Sequence, residues 1–308
     1  MPATFSHYVD ATPLLDDPAA LRARAAEDGF LFLRGLLPRE AIIDLRRQFL
    51  TVLDRHGWLR RDTPFMDGIV DREAIEREDP AAMIAQGVGI HSAAYAEVQK
   101  LEAFHALAHH PRLIRLYQIL FDAPVLPHPR HIARLILPAS FNKPTPPHQD
   151  FIHIQGTRNV WTCWIPMGDC PRPMGNLTMV RGSHRAGLLT VAPAEGAGGL
   201  AAQMCGDDHE WVEGDFEAGD VVTFPSLTIH KALPPEITDR VRLSCDFRFQ
   251  PAEEEIEQAS LLPHGQVATW DEIYAGWTRK DIQYYWRDRE LVMGQWDDSI
   301  RWQKEKIC

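Results

Sequence analysis

"GDVVTFPSLTIHKALPPEITDRVRLSCDFRFQ" (residues 219–250) decides how the chain is read. Gly219 and Asp220 make a turn, residues 221–224 make a short β-rich run, and His230 follows beyond its far end. The second run, "DRVRLSCDFRFQ", puts Arg240, Arg242 and Arg248 at one parity, with Ser244 on the same face. Charges repeated on one strand face cost stability unless they are paired or meet a wet cavity. A polar pocket bounded by that strand is therefore expected. Upstream, "HIARLILP" (131–138), "NVWTCWIPM" (159–167) and "NLTMVRGSH" (176–184) are further short runs divided by Gly and Pro clusters. That texture is the pattern of a sandwich or jelly-roll barrel. No helix-length segment alternates with these runs, which speaks against a doubly wound parallel sheet.

The flanks read differently. "DPAALRARAAEDG" (17–29) is a helix closed by Gly29, and "FLFLRG" (30–35) is a buried strand. "PREAIIDLRRQFLTVLDRHG" (38–57) repeats Ile42, Leu45, Phe49 and Leu53 at helical spacing. Residues 60–95 read as irregular, 96–110 as a helix, and Pro111 opens a second helix to about Phe121. Residues 190–210 are rich in small residues and read as a mobile surface insertion. The tail is helix-like and carries Trp270, Trp277, Tyr284, Tyr285, Trp286, Trp296 and Trp302, suited to core, a lid or a dimer interface. The expectation is one domain over 1–308: a mostly helical part (1–125), a β-barrel core (126–250) and an aromatic-rich helical extension (251–308).

Composition narrows the function. With 45% hydrophobic and 24% charged residues the chain is an ordinary globular protein. It has no apolar run near the ~18 residues of a membrane helix, and its N-terminus has no secretory pattern. Five cysteines without a CxxC pair argue against a disulfide framework or zinc ribbon and suit a reducing, cytoplasmic compartment. A net charge of −11 argues against nucleic acid. A small-molecule substrate is expected, and a homodimer stays open.

"PTPPHQDFIHIQG" (144–156) carries the chemistry. A non-haem iron(II) oxygenase needs two histidines and one carboxylate on one face of the metal, with the other face open. On a strand, His148 and Asp150 project together and Gln149 points away. His230 is the third ligand, supplied by a distant strand. His153 has the wrong spacing and is a pocket-lining or surface residue. The distal carboxylate of 2-oxoglutarate needs a cation, and arginine pairs with it bidentately. Arg242, with the Ser244 hydroxyl beside it, is preferred, and Arg240 is second. The competing readings are an ion pair between Arg242 and Asp246, and a solvated turn around Arg240. Cys163 and Cys170 are packing residues.

These elements, in this order, resemble the phytanoyl-CoA dioxygenase family of iron(II)- and 2-oxoglutarate-dependent oxygenases. The matching pieces are "HQD" (148–150), "WTCWIPM" (161–167), "GNLTMVRGSH" (175–184), "GDVVTF" (219–224), His230 and "RVRLSCDFRFQ" (240–250), with "DGFLFLRGLL" (28–37) resembling the family's opening strand. The resemblance implies a mainly β fold, a double-stranded β-helix (jelly-roll, cupin-like) core flanked by N- and C-terminal helices. It implies iron held by His148, Asp150 and His230, an arginine past the distal histidine for 2-oxoglutarate, and Trp164 beside that cosubstrate. Relatives that halogenate carry a small residue in place of the aspartate, so Asp150 implies hydroxylation or another oxidation. Iron(II), 2-oxoglutarate and O2 would be consumed or used, with succinate and CO2 released. Two other readings stay open: a cupin-like metalloenzyme that does not use 2-oxoglutarate, and a binding protein that kept the barrel without catalysis.

Overall fold

The computed structural model describes residues 4–85, 87–139, 141–206 and 208–301; Trp302 and Cys308 lie outside them. Fourteen strands are described: β1 (Thr4–His7), β2 (Leu31–Leu33), β3 (Val125–Pro127), β4 (Ile132–Ile136), β5 (Trp161–Pro166), β6 (Leu177–Val180), β7 (Val191–Pro193), β8 (Leu200–Ala202), β9 (Glu210–Glu213), β10 (Val221–Pro225), β11 (His230–Ala232), β12 (Arg242–Pro251), β13 (Ile256–Glu257) and β14 (Met293–Gly294). The larger sheet runs β2-β10-β5-β12-β3, with β4 also paired to β12. The smaller runs β1-β9-β6-β11. This is a mainly β architecture with helices packed outside it.

Strand β12 explains the layering, because all ten of its residues are buried. Leu243, Cys245, Phe247 and Phe249 share a face with Cys163 and Ile165 of β5 and Ala133 and Leu135 of β4, and join the core that the helices cover. Each fully buried Leu or Phe there contributes about 1.5–3 kcal/mol. The opposite face carries Arg242, Ser244, Asp246 and Arg248, registered against Arg134 of β4 and Thr162 and Trp164 of β5. Phe32, Val222 and Phe224 continue that inner face and pack on Met179 and Val212 of the smaller sheet. Period-2 alternation thus sorts apolar from polar with no solvent-exposed side.

Most expected elements are present at their expected places. Helix Pro18–Asp28 ends at Gly29, in the left-handed region at φ 75. Helix Arg39–Arg55 buries Ile42, Leu45, Phe49 and Leu53. Several details differ. The N-terminal part is not only helical outside the barrel: β1 pairs with β9 and β2 with β10, so it adds one strand to each sheet. The stretch read as irregular holds helices Arg72–Glu76 and Pro80–Ile84. The helix expected over 96–110 is two, Ser92–Gln99 and Glu102–Ala108, because Leu101 takes an extended backbone between them. The small-residue insertion forms the β7–β8 hairpin. Among the tail's described residues only Trp270–Tyr274 is α-helical, held by a capping box between Thr269 and Glu272. Its Trp270, Tyr274, Trp277 and Trp286 pack as core against Leu126 and Ile256. Cys163, Cys170 and Cys245 are buried free thiols.

Asp220 ties the turn before β10 to the end of β2. Its carboxylate accepts from the backbone N–H of Gly35 (2.9 Å) and Glu217 (2.8 Å) and from Arg34 Nη1 (2.6 Å). Asp220→Ala is expected to cost about 2–3 kcal/mol in urea denaturation, since two N–H groups lose their acceptor. A loss within experimental error would refute that role. Burial also pushes the imidazoles of His105 and His128 down to about 3. The unfolded chain takes up these protons near 6.5, so their contribution is complete above that pH and lost as pH falls toward 3. The urea midpoint should drop between pH 7 and 4, and His128→Asn should flatten that slope.

Candidate metal centre

The prolines before His148 make a segment that offers carbonyls but few N–H groups. Those carbonyls are used: Thr145 accepts from the Ala232 N–H (3.2 Å), Pro147 from the Ala202 N–H (2.8 Å) and Pro146 from His148 Nδ1 (2.8 Å). His148 and His230 then exchange backbone hydrogen bonds, each N–H to the other's carbonyl at 3.0 Å. This bridge brings two residues 82 positions apart into contact, with ring centroids 4.1 Å apart. His230 Nδ1 donates to the Thr228 carbonyl at 3.1 Å. With both Nδ1 atoms committed to carbonyls, both Nε2 atoms keep a lone pair for a ligand.

Asp150 reaches the same point by a different backbone from the one expected. His148 lies in the β-bridge, but Asp150 is αR (φ −64, ψ −29) and opens the helical turn Phe151–Ile154, so strand parity does not describe the pair. Gln149 enforces the break. Its Nε2 donates to the Gly187 and Leu227 carbonyls, both at 2.7 Å, and its Oε1 accepts from the Leu189 N–H at 2.8 Å. Asp150 Oδ1 lies 3.4 Å from His148 Nε2 and 3.8 Å from His230 Nε2. Its Oδ2 accepts from Thr162 Oγ1 at 2.5 Å and lies 3.6 Å from Arg248.

The ligand atoms of His148, Asp150 and His230 all fall within 4.8 Å of one another, and all three residues are buried. Two imidazoles and one carboxylate match the donor set of a non-haem iron(II) site. Electrostatics agree. Burial alone would raise the Asp150 carboxyl, but Arg248 and the two histidines outweigh it and hold it well below the usual carboxylate range. Burial, helped by His148, lowers His230 to about 3, so it is neutral at physiological pH.

The remaining expected residues separate clearly. Arg242 is buried, and its Nη1 donates to Ser244 Oγ at 3.2 Å. Arg240 sits nearer solvent and is paired with its neighbour Asp239 at 3.0 Å. Asp246 does not pair with Arg242; it holds Arg134 at 2.7 Å. Trp164 is on the inner face opposite Asp246, packed on Phe216 at 4.9 Å between ring centroids. His153 is not among the converging ligands; its ring lies 6.1 Å from that of His148, and its buried Nε2 has no partner. Thr162, Arg134 and the bracing role of Arg248 were not foreseen. Their partners lie far along the chain, and no spacing rule connects them.

A cavity of about 610 Å³ opens onto this inner face. Arg134 and Arg242 line it in depth, with Arg240 and Lys143 also on its walls. Its apolar lining includes Ile136, Leu137, Phe141, Met174, Leu233 and Ile237. The tip of the β7–β8 hairpin, residues 195–198, forms one side.

Known proteins resemble this chain. The sequence pattern of the family described as "Phytanoyl-CoA dioxygenase (PhyH)" matches residues 25–242. A 1-deoxypentalenic acid 11-beta-hydroxylase of Streptomyces arenae is 29% identical over 281 residues, covering 87% of this chain and 93% of that protein. The protein of the same name from Streptomyces exfoliatus is 27% identical over the same shares. Among solved structures, the epimerase SnoN in complex with Fe3+, alpha ketoglutarate and nogalamycin RO superposes with a TM-score of 0.53 at 22% identity, over 78% of this chain and 87% of that one. At that identity the likeness speaks to the fold. Among the described residues no helix is long and apolar enough to cross a membrane.

If the three side chains form a metal centre, cobalt(II) added to metal-free protein should raise the melting temperature at one ion per chain. His230→Ala should abolish the shift. Thr162→Val should weaken cobalt binding by about tenfold through loss of the carboxylate's orientation. An unchanged affinity in Thr162→Val would remove that residue from the site.

Proposed function

The chain belongs to the phytanoyl-CoA dioxygenase family and is a non-haem iron(II)- and 2-oxoglutarate-dependent oxygenase of small molecules, and from that premise we propose that it hydroxylates an unactivated carbon of a largely apolar substrate at a centre formed by His148, Asp150 and His230. The observation that carries this reading is the convergence of two Nε2 atoms and one carboxylate oxygen whose other atoms are all engaged. The apolar cavity walls and the hydroxylase relatives support the substrate class.

Each residue has a definable task. His148 and His230 each offer an Nε2 donor, their Nδ1 atoms being held by carbonyls. Asp150 offers Oδ1 alone, because Thr162 and Arg248 occupy Oδ2. His148, His230 and this single oxygen would hold the ion, leaving room among its ligands for others. Iron with 2-oxoglutarate supplies the dioxygen activation, releasing succinate and CO2. Arg242, with Ser244 beside it, receives the far carboxylate of 2-oxoglutarate. Among the described residues no carboxylate pairs with this buried guanidinium, whereas Arg240 is already satisfied by Asp239. Trp164 backs this side of the pocket by packing rather than by contact. The apolar walls exclude water around the reacting carbon.

Anaerobic addition of iron(II) and 2-oxoglutarate should produce a weak visible charge-transfer band, and its absence would overturn the reading. Arg242→Ala should raise the KM for 2-oxoglutarate at least tenfold, as expected for a lost charge-assisted pair. Arg240→Ala should change it less than twofold. Unaltered succinate formation in both variants would favour a metalloenzyme that does not use this cosubstrate.

A further inference from the structure

A second group of cations surrounds the far side chains of β12. Arg242 and Arg248 are six residues apart on the inner face, about 20 Å between Cα atoms in an extended strand, so Arg248 lies beside Asp150 rather than with Arg242. Arg248 is 7% exposed, and its Nε is buried without a partner. Its one ion-pair contact is the 3.6 Å approach to Asp150 Oδ2, an oxygen Thr162 already holds. Arg130 is alike: its Nε is buried without a partner, and among the described residues no carboxylate lies within ion-pair distance of it. The two are kept close by the backbone. The His128 N–H donates to the Arg248 carbonyl at 2.8 Å, and the Arg130 N–H to the Ser260 carbonyl at 3.3 Å. Burial first, and Arg248 second, lower the basicity of Arg130.

His264, from the C-terminal segment, is a third donor. Tyr95 Oη accepts from Gln99 Nε2 (2.8 Å) and from the Ala133 N–H (3.3 Å). Its own proton therefore goes to His264 Nδ1, 3.0 Å away. Burial, with Arg130, Arg134 and Arg248 nearby, keeps His264 neutral. A neutral imidazole that accepts at Nδ1 carries its hydrogen on Nε2.

We propose that Arg130, Arg248 and His264 bind the carboxylate of a monoanionic, otherwise apolar substrate, a role that rests on the iron and 2-oxoglutarate reading above. Charge balance specifies one negative charge. Arg134 is neutralised by Asp246. A dianionic cosubstrate balances a divalent ion, Asp150 and Arg242 together. Glu257, buried and within electrostatic reach of Arg130, offsets one of the two remaining guanidiniums. One positive charge is left on the buried Arg248 and the half-buried Arg130, and a charge taken out of water is costly until an anion meets it. A carboxylate there anchors the substrate beside Asp150 while its apolar body extends past the metal's open face.

The test uses the protein loaded anaerobically with iron(II) and 2-oxoglutarate and follows the visible band. The probes are adamantane-1-carboxylate and adamantane-1-carboxamide, alike in shape and different in charge. The acid should bind at least tenfold more tightly than the amide. Arg130→Gln should erase that preference, leave 2-oxoglutarate affinity within twofold and keep the wild-type melting temperature, while Arg130→Lys retains part of the preference. Glu257→Gln should strengthen acid binding several-fold, a gain that misfolding cannot imitate. Equal binding of the two probes, or failure of both to perturb the band, overturns the proposal. So does a loss of 2-oxoglutarate affinity in Arg130→Gln that matches the loss for the acid, or a Glu257→Gln variant without a gain. Absence of the band in the wild type would instead sink the iron and 2-oxoglutarate reading.

Discussion

Ten consecutive buried residues on β12, half of them polar, are the constraint from which the rest of the pocket follows. Burying a charge without a partner costs several kcal/mol, so each inner-face group needs an answer from another element. Asp246 is answered by Arg134 of β4 and Gln250 by His128. Arg248 is answered in part by Asp150 from the loop opposite. Arg242 is answered by one hydroxyl, Ser244. The strand's two arginines, Arg242 near one end and Arg248 toward the other, are therefore the under-satisfied cations of this face. Those two cations are where ligand carboxylates have a physical reason to bind.

The same economy shapes the metal centre. Its ligands do not depend on a metal to hold them together. The backbone bridge between His148 and His230 positions the rings, two carbonyls fix their orientation, and Thr162 with Arg248 turns the carboxylate. A neutral His230 and an ionised Asp150 mean that neither has to lose a proton before an ion binds at neutral pH. Preorganisation of this kind is what allows three donors to occupy one side of an ion without closing the other.

Much of this was legible because it rests on local chemistry. Short runs divided by Gly and Pro, and the parity of Arg242, Ser244 and Arg248, follow from strand geometry alone. The convergence of His148, Asp150 and His230 followed from donor type and order along the chain. What sequence could not supply depends on contacts between distant segments. Asp150 leaves strand geometry because Gln149 is clamped by three backbone groups between residues 187 and 227. Arg242 and Arg240 look alike in "DRVRLS", and only burial and the Asp239 partner tell them apart. The tail's aromatic residues carry no helical period because they pack through 3-10 turns onto β3 and β13, where side-chain shape decides the path.

A chain of net charge −11 with a cationic interior raises the question of how an anion arrives. Surface carboxylates more than about 8 Å away are largely screened at physiological ionic strength, so their effect on the pocket is weak. Inside, the lower effective dielectric strengthens the pull of Arg130, Arg242 and Arg248. Around the cavity's rim Arg240 is paired with Asp239 and Lys143 is offset by Glu195, so the rim adds little field of its own. Glu195 on the hairpin tip is the acidic residue among the cavity's lining. Net charge therefore describes how the protein meets other macromolecules, while the pocket's own charges decide which small molecules stay.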